Sequence, residues 1–319
     1  MKKILVFLIC LLPLCSFAQL YACRDSVPDG YNFWLYLPDD YDATMADKPL
    51  VMFLHGKSLC GRDLNKVLQY GSIDALRRGR KIDAVVIAPQ SPGAWNPEKL
   101  MNIYEWVQEK YPIDTNRFYV LGMSLGGYGT LDFVATYPDQ VAAAIAMCGG
   151  ATAKSLCGLN DLPLWIIHGT ADKAVSVGCS DRVVSAMCEC GDTSRLMYDR
   201  MKGVNHSQLA RVFYLDQTYD WLFEHSLADS ARLADKSYGI STSILKDAYA
   251  NLDKDFKLTI VNGKGAKEAA RPKVYYTVKK GDTLSKIAVD HHTTVTILCK
   301  LNNMKKTDKL RIGKKIRVS

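Results

Sequence analysis

The chain has 319 residues, 48% hydrophobic and 23% charged, a globular composition that excludes a collagen-like, coiled-coil or disordered chain as a whole. That length suits one medium domain plus a small one. Net charge is +8 but unevenly placed: residues 261–319 hold 15 Lys/Arg against 4 Asp/Glu, so a slightly acidic body carries a strongly basic tail.

Met1-Lys2-Lys3, the apolar stretch 4–14 and the small residues Ser16 and Ala18 read as an export signal over 1–18, with Gln19 as the first mature residue. The stretch is broken by Pro13 and too short to span a bilayer, no other segment approaches spanning length, and bulky Leu14 argues against a lipid on Cys15. Loss of the signal leaves Cys23, Cys60, Cys148, Cys157, Cys179, Cys188, Cys190 and Cys299. Eight cysteines in an exported chain permit disulfides, in pairings that spacing cannot choose. Buried thiols or one or two local bridges are expected. The cysteines lack C-x-x-C spacing and nearby histidines, so no metal site is expected, and nothing calls for a cofactor.

From Asn32 to His206 short apolar runs alternate with amphipathic stretches. Strands are expected at 33–37, 50–54, 84–88, 118–121, 142–147, 164–167 and 195–198, several apolar throughout, as in a parallel sheet buried on both faces. Asn96-Pro97 starts a helix whose apolar face is Leu100, Ile103, Tyr104 and Val107. The alternation predicts an α/β domain with a mostly parallel sheet over 19–226, closing with a helix at 208–223 and an exposed His225. Residues 227–273 are polar and weakly helical near 244–249, and read as a linker region.

Gly122-Met123-Ser124-Leu125-Gly126-Gly127 follows an apolar strand and precedes a helical pattern. In that context G-x-S-x-G is a nucleophile elbow: a sharp turn at Ser124 strains the backbone and crowds the positions two residues either side. It lifts the hydroxyl above the carboxyl edge of the sheet. A serine hydroxyl needs a base, and the base an orienting carboxylate. Asp172 follows the 164–167 strand and His206 follows the 195–198 strand, so all three share that edge. His168 precedes the acid in the chain and reads as a packed residue. Asp161 precedes its strand, while Asp181 and Asp192 lie on or beside a helix.

Together with Leu54-His55-Gly56 and the run from Asp114 to Gly127, these residues resemble the α/β-hydrolase superfamily. Within it they are most similar to small secreted esterases: feruloyl and acetyl-xylan esterases, polyhydroxybutyrate depolymerases and relatives called predicted peptidases. The resemblance covers roughly 29–225. It implies hydrolysis of an ester, free or glycan-linked, through an acyl-serine intermediate formed by Ser124, Asp172 and His206. It also implies an oxyanion held by the backbone N–H groups of Leu125 and Lys57. Trp95 is similar to an aromatic lining the acyl site in some relatives. A serine peptidase of the same fold, and a wall-binding protein with a vestigial hydrolase domain, are the alternatives.

In the tail, Tyr276-Thr277-Val278 alternates, and Asp282 or Thr283 caps a helix bearing Leu284, Ile287 and Ala288. Thr293 or Thr294 caps a second helix with Val295, Leu298 and Leu301, and Ile316 and Val318 close a strand. A β-α-α-β unit without nucleophile or metal spacing is a binding module. Residues 274–319 resemble a LysM domain, through Tyr276–Leu284, Ile287-Ala288, Leu301-Asn302 and Leu310–Gly313. The resemblance implies binding of peptidoglycan or another N-acetylglucosamine-containing glycan at Gly281, Asp282, Thr283 and Leu284. Nucleic acid is not expected for an exported chain.

Overall fold

Alternation of apolar side chains decides the sheet. In the computed structural model, which describes residues 18–261, 274–291, 293 and 295–318, Val51 and Phe53 join one hydrophobic core while Leu50, Met52 and Leu54 join another. Successive side chains of a strand point to opposite faces, so this strand is covered on both. The strands are β1 (Gln19–Cys23), β2 (Phe33–Leu37), β3 (Leu50–Leu54), β4 (Val85–Pro89), β5 (Phe118–Met123), β6 (Ala143–Met147), β7 (Leu164–Gly169), β8 (Leu196–Met201) and β9 (Thr259–Val261). They form one sheet in the order β8-β7-β6-β5-β3-β4-β2-β1-β9. From β4 through β3 to β8 every pairing is parallel; β2 is antiparallel to both β4 and β1, and β9 runs parallel to β1.

Helices α1 (Ser72–Arg77), α2 (Pro97–Lys110), α3 (Leu125–Thr136), α4 (Gly178–Cys190), α5 (Asp216–Phe223) and α6 (Thr242–Lys246) complete this body. Asn96 caps α2, its side chain accepting the Lys99 N–H at 3.1 Å, and Pro97 sits where a missing N–H costs nothing. Leu100, Ile103, Tyr104 and Val107 form its buried face. The stretch expected as one helix over 208–223 is two pieces, a 3-10 segment at Ser207–Tyr214 and α5, because Leu215 adopts an extended conformation between them. His225, expected at the surface, is buried against Trp221, with ring centroids 4.7 Å apart. One disulfide, Cys157–Cys190, ties the turn before β7 to the end of α4; the other six cysteines from Cys23 onward are free.

Residues 227–261, read from sequence as part of a polar linker, pack on the body. Ala234, Ile240, Leu245 and Ala248 enter the same core as Val51 and Phe53. Ser241 caps α6 through the Ile244 N–H at 3.2 Å. Gly79 (φ +98°) makes room for this segment: a Cβ there would lie 1.8 Å from the Asp253 carbonyl oxygen, and the Asp253 N–H donates to Gly79 O at 3.0 Å. The expected export signal lies, up to residue 17, outside the described residues, as do 262–273.

The tail forms β10 (Tyr275–Thr277) antiparallel to β11 (Lys315–Arg317), with α7 (Leu284–Asp290) and α8 (Val295–Leu301). Its core is Val278, Leu284, Ile287, Ala288, Leu298, Cys299, Ile316 and Val318. Thr283 is the cap of α7, accepting the Lys286 N–H at 3.1 Å; Thr294 lies outside the described residues. Asn302 fastens the closing strand, its side chain accepting the Arg317 N–H and donating to the Arg317 carbonyl, both at 2.7 Å. No helix among the described residues is long and apolar enough to cross a membrane.

Packing of 227–261 is open to measurement. Leu245→Ala removes a side chain that is 3% exposed, and is expected to lower the unfolding free energy by about 2–5 kcal/mol in urea titration. A change below about 0.5 kcal/mol would mean that this segment does not belong to the core.

Candidate active site

Ser124 stands between β5 and α3 at φ 60° and ψ −121°, a conformation strained for any residue with a Cβ. The positions two before it and two and three after it must be glycine. A Cβ on Gly122 would lie 2.3 Å from Gly126 O, one on Gly126 1.9 Å from Leu54 O, and one on Gly127 2.4 Å from Met147 O. The Ser124 N–H donates to Met147 O at 2.9 Å, and its carbonyl receives the Tyr128 N–H at 3.0 Å, opening α3. As the first residue of that helix, Leu125 has no carbonyl one turn back to accept its N–H.

Asp172 lies on the loop after β7 with its side chain fully covered. One carboxylate oxygen accepts the N–H groups of Ala174 (2.8 Å) and Val175 (2.9 Å); the other accepts His206 Nδ1–H at 2.6 Å. Burial alone would push this carboxyl up, but the Val175 N–H, the His206 ring and the Ala174 N–H outweigh it and hold it below the usual carboxylate range. With the acid ionised, the proton of neutral His206 resides on Nδ1 and leaves Nε2 as an acceptor. His206 follows β8 through Gly203, whose φ is +74° and whose N–H donates to Thr170 Oγ1 at 2.9 Å. Asn205 then pins the turn by accepting the Gln208 N–H at 3.1 Å.

Ser124 and His206 face one pocket of about 570 Å3, which Lys57 and Leu125 also line. Tyr70, Tyr128, Val175 and Ala210 are among the other residues of its wall. No motif marks these four, and proximity in the fold reveals them. The other histidines differ in kind. His55 Nδ1–H donates to Gly56 O at 2.8 Å while Nε2 accepts the Ser91 N–H at 3.1 Å; burial pushes its pKa down to about 4, against the pull of the Gly56 bond. His168 is buried with both nitrogens engaged, by Ser180 Oγ at 2.8 Å and Val175 O at 3.0 Å, and burial lowers its pKa. Neither has a nitrogen free for proton transfer.

Trp95 is not in the pocket wall. Its ring packs over Gly129, where a Cβ would lie 2.5 Å from it, and its indole N–H donates to His55 O at 3.2 Å. Among the described residues, Cys148, Asp172 and His206 offer ligand atoms within 4.8 Å of one another. The Asp172–His206 hydrogen bond and a Cys148 thiol pushed up by burial make this a proton-holding pair beside a neutral thiol rather than a thiolate site.

In the tail, Gly281 takes φ +89° to turn the chain, and Asp282 accepts the Lys279 N–H at 2.6 Å and the Tyr276 hydroxyl at 2.9 Å. Thr283 caps α7. Leu284 points into the small core, so of the four expected glycan contacts it is the one turned inward.

A mostly parallel sheet with a strained serine turn between strand and helix defines an α/β-hydrolase. The chain belongs to the esterase family: the family model described as "Putative esterase" matches residues 25–222, and that of the LysM domain matches 276–319. It is similar to acetylxylan esterase A of Emericella nidulans, 25% identical over 139 residues, which cover 38% of this chain and 43% of that protein. A thermostable esterase of known crystal structure is 26% identical with a TM-score of 0.51, over 61% of this chain and 59% of that one. The feruloyl esterase module of Clostridium thermocellum, solved as an S954A mutant with sinapinate, is 16% identical with a TM-score of 0.46, over 61% of this chain and 84% of that one. The chain thus spans about half the length of the relatives named first.

Asp172→Asn keeps the shape of the side chain but removes the charge that orients the His206 tautomer. It is expected to lower kcat about 10⁴-fold in an ester assay. The stability difference from wild type, read by urea unfolding, should be full above the unfolded carboxyl's ordinary value of about 3.9 and shrink as pH falls through the lower folded value. Full activity in Asp172→Asn would assign the acid elsewhere.

Proposed function

We propose that this protein is an exported serine carboxylic-ester hydrolase, held at cell-wall glycan by its LysM module. The observation that carries the reading is an Asp172-bound His206 with a free Nε2 facing the same pocket as Ser124 on its strained turn. In this mechanism Nε2 takes the serine proton as Oγ attacks the ester carbonyl. The backbone N–H groups of Leu125 and Lys57 meet the oxyanion, in a pocket where such donors act without reorganising. His206 returns the proton to the leaving alcohol, and water reverses the sequence on the acyl-serine. Likeness to an acetylxylan esterase supports a substrate with its ester on a glycan, and the LysM match supports an enzyme working outside the cell on or near N-acetylglucosamine polymers.

Ser124→Ala is expected to abolish hydrolysis of p-nitrophenyl esters with the fold unchanged by circular dichroism, and a fluorophosphonate probe should label wild type alone. Equal turnover by the variant would end the serine mechanism. Comparison of acetylated and feruloylated xylan fragments with peptides as substrates then fixes the class.

Deletion of 274–319 is expected to leave hydrolysis of small soluble esters within about twofold, as for separate domains, while pull-down by insoluble peptidoglycan is lost. Simple charge attraction would be screened over about 8–10 Å and fade at physiological salt. Groove recognition should survive that salt and yield to free N-acetylglucosamine oligomers. Binding that vanishes in modest salt and ignores the oligomers would overturn the glycan assignment.

A further inference from the structure

We propose that Tyr70 is a positioning residue of this site, its hydroxyl fixing Gly56 so that the Lys57 N–H points at the reacting carbonyl. The proposal rests on the serine-hydrolase reading and names the group that holds one of its two oxyanion donors in place.

Gly56 precedes the 3-10 turn Lys57–Leu59, with φ −81° and ψ 177°. A glycine does not hold such a conformation by itself, since its backbone is the most permissive of any residue. Bonds from two other side chains hold it. The Gly56 N–H donates to the Tyr70 hydroxyl oxygen at 2.7 Å, and the Gly56 carbonyl accepts His55 Nδ1–H at 2.8 Å. That carbonyl belongs to the same planar, trans peptide as the Lys57 N–H, so holding the C=O toward His55 directs the N–H the opposite way. His55, with the Leu59 N–H that the same carbonyl accepts at 3.1 Å, therefore fixes one peptide of Gly56 and Tyr70 fixes the other, and together they set the torsions between.

Space around Gly56 gives the arrangement its purpose. A Cβ there would lie 2.7 Å from the Tyr70 oxygen and 3.3 Å from both Ser124 Cβ and Met123 O. The glycine is thus pressed between the tyrosine and the nucleophile turn, and a small rotation of its peptides moves the Lys57 N–H relative to Ser124. Tyr70 lines the same pocket as Ser124 and His206. Burial raises its pKa, so the phenol stays protonated and neutral.

Tyr70 is itself held from two directions. Its ring centroid lies 6.3 Å from Phe53 of β3 and 6.4 Å from Phe213, in the 3-10 segment that follows His206. Gly71 next to it takes φ +90°, and a Cβ there would strike the Phe53 ring at 2.0 Å. A rigid ring braced on the sheet and on the His206 segment thus delivers its hydroxyl to the Gly56 N–H, with the Ser58 side chain as a second partner. A positioning role of this kind asks for that geometry.

Tyr70→Phe keeps the ring against Phe53 and Phe213 and removes only the hydroxyl, with its bonds to Gly56 and Ser58. The expected result with p-nitrophenyl acetate is a kcat lowered about tenfold, less than removal of an oxyanion donor outright, with KM within twofold. The Ki of a trifluoromethyl ketone, whose hemiketal with Ser124 carries the oxyanion, should rise by the same factor. End-point titration with a fluorophosphonate normalises kcat to the folded, active fraction, so partial unfolding does not mimic the effect. An unchanged normalised kcat would overturn the proposal, as would a lowered kcat with an unchanged ketone Ki. Ser124→Ala in the same assays separates the two levels. Full turnover there ends the serine reading itself, whereas an inactive Ser124→Ala beside an unaffected Tyr70→Phe ends only the role of Tyr70.

Discussion

The conformation of Ser124 is the constraint on which the remaining geometry depends. A residue with a Cβ at φ 60° and ψ −121° stores on the order of 1–3 kcal/mol of strain, and persists only where its surroundings leave no alternative. Here they leave none. Gly126 and Gly127 bring the start of α3 within van der Waals distance of the ends of β3 and β6, so the turn cannot relax without parting helix from sheet. That closeness brings the loop after β3 beside the serine, and with it Gly56 and Lys57. A side chain at any of these glycines would move the helix, the loop or both.

Three histidines lie at this edge of the sheet, and their surroundings sort them. His55 and His168 are covered and bonded at both nitrogens, so each is a strut. His206 alone of the three is bonded at Nδ1 by a buried carboxylate and reaches the pocket. Asp172 owes its charge in the covered loop to the two backbone N–H groups it accepts as much as to the imidazole. The loop after β7 wraps the carboxylate with its own backbone N–H groups, which pre-organises the pair.

Strands β2 to β7 are legible in the sequence because each carries a run of apolar side chains that both faces of a sheet can bury, and the edge strand β8 through its apolar start at Leu196 and Met197. The nucleophile turn is legible for a related reason: its glycines are required by backbone contact, leaving no room for variation in the pattern. Other features depend on distant partners and escape a local reading. β9 has three residues, two of them exposed, and exists because β1 offers it an edge. Residues 227–261 look like a linker because their buried side chains, Ala234, Ile240, Leu245 and Ala248, are spaced by no single period. Trp95 stands in a suggestive place in the sequence, yet Gly129 gives its ring a bed inside the fold. Tyr70 has no signature at all, since its meaning lies in a backbone N–H fourteen residues earlier.

The pairing of β9 with β1 also decides where the chain leaves the body. Because β9 runs parallel to β1, and β1 in the same sense as β4, residue 261 emerges at the edge of the sheet that also bears Ser124. It does so five strand positions away from β5, roughly 24 Å at the usual spacing. Residue 261 thus leaves the catalytic body beside the active-site edge but at the sheet's far margin, so that whatever follows β9 starts a sheet's half-width from the nucleophile.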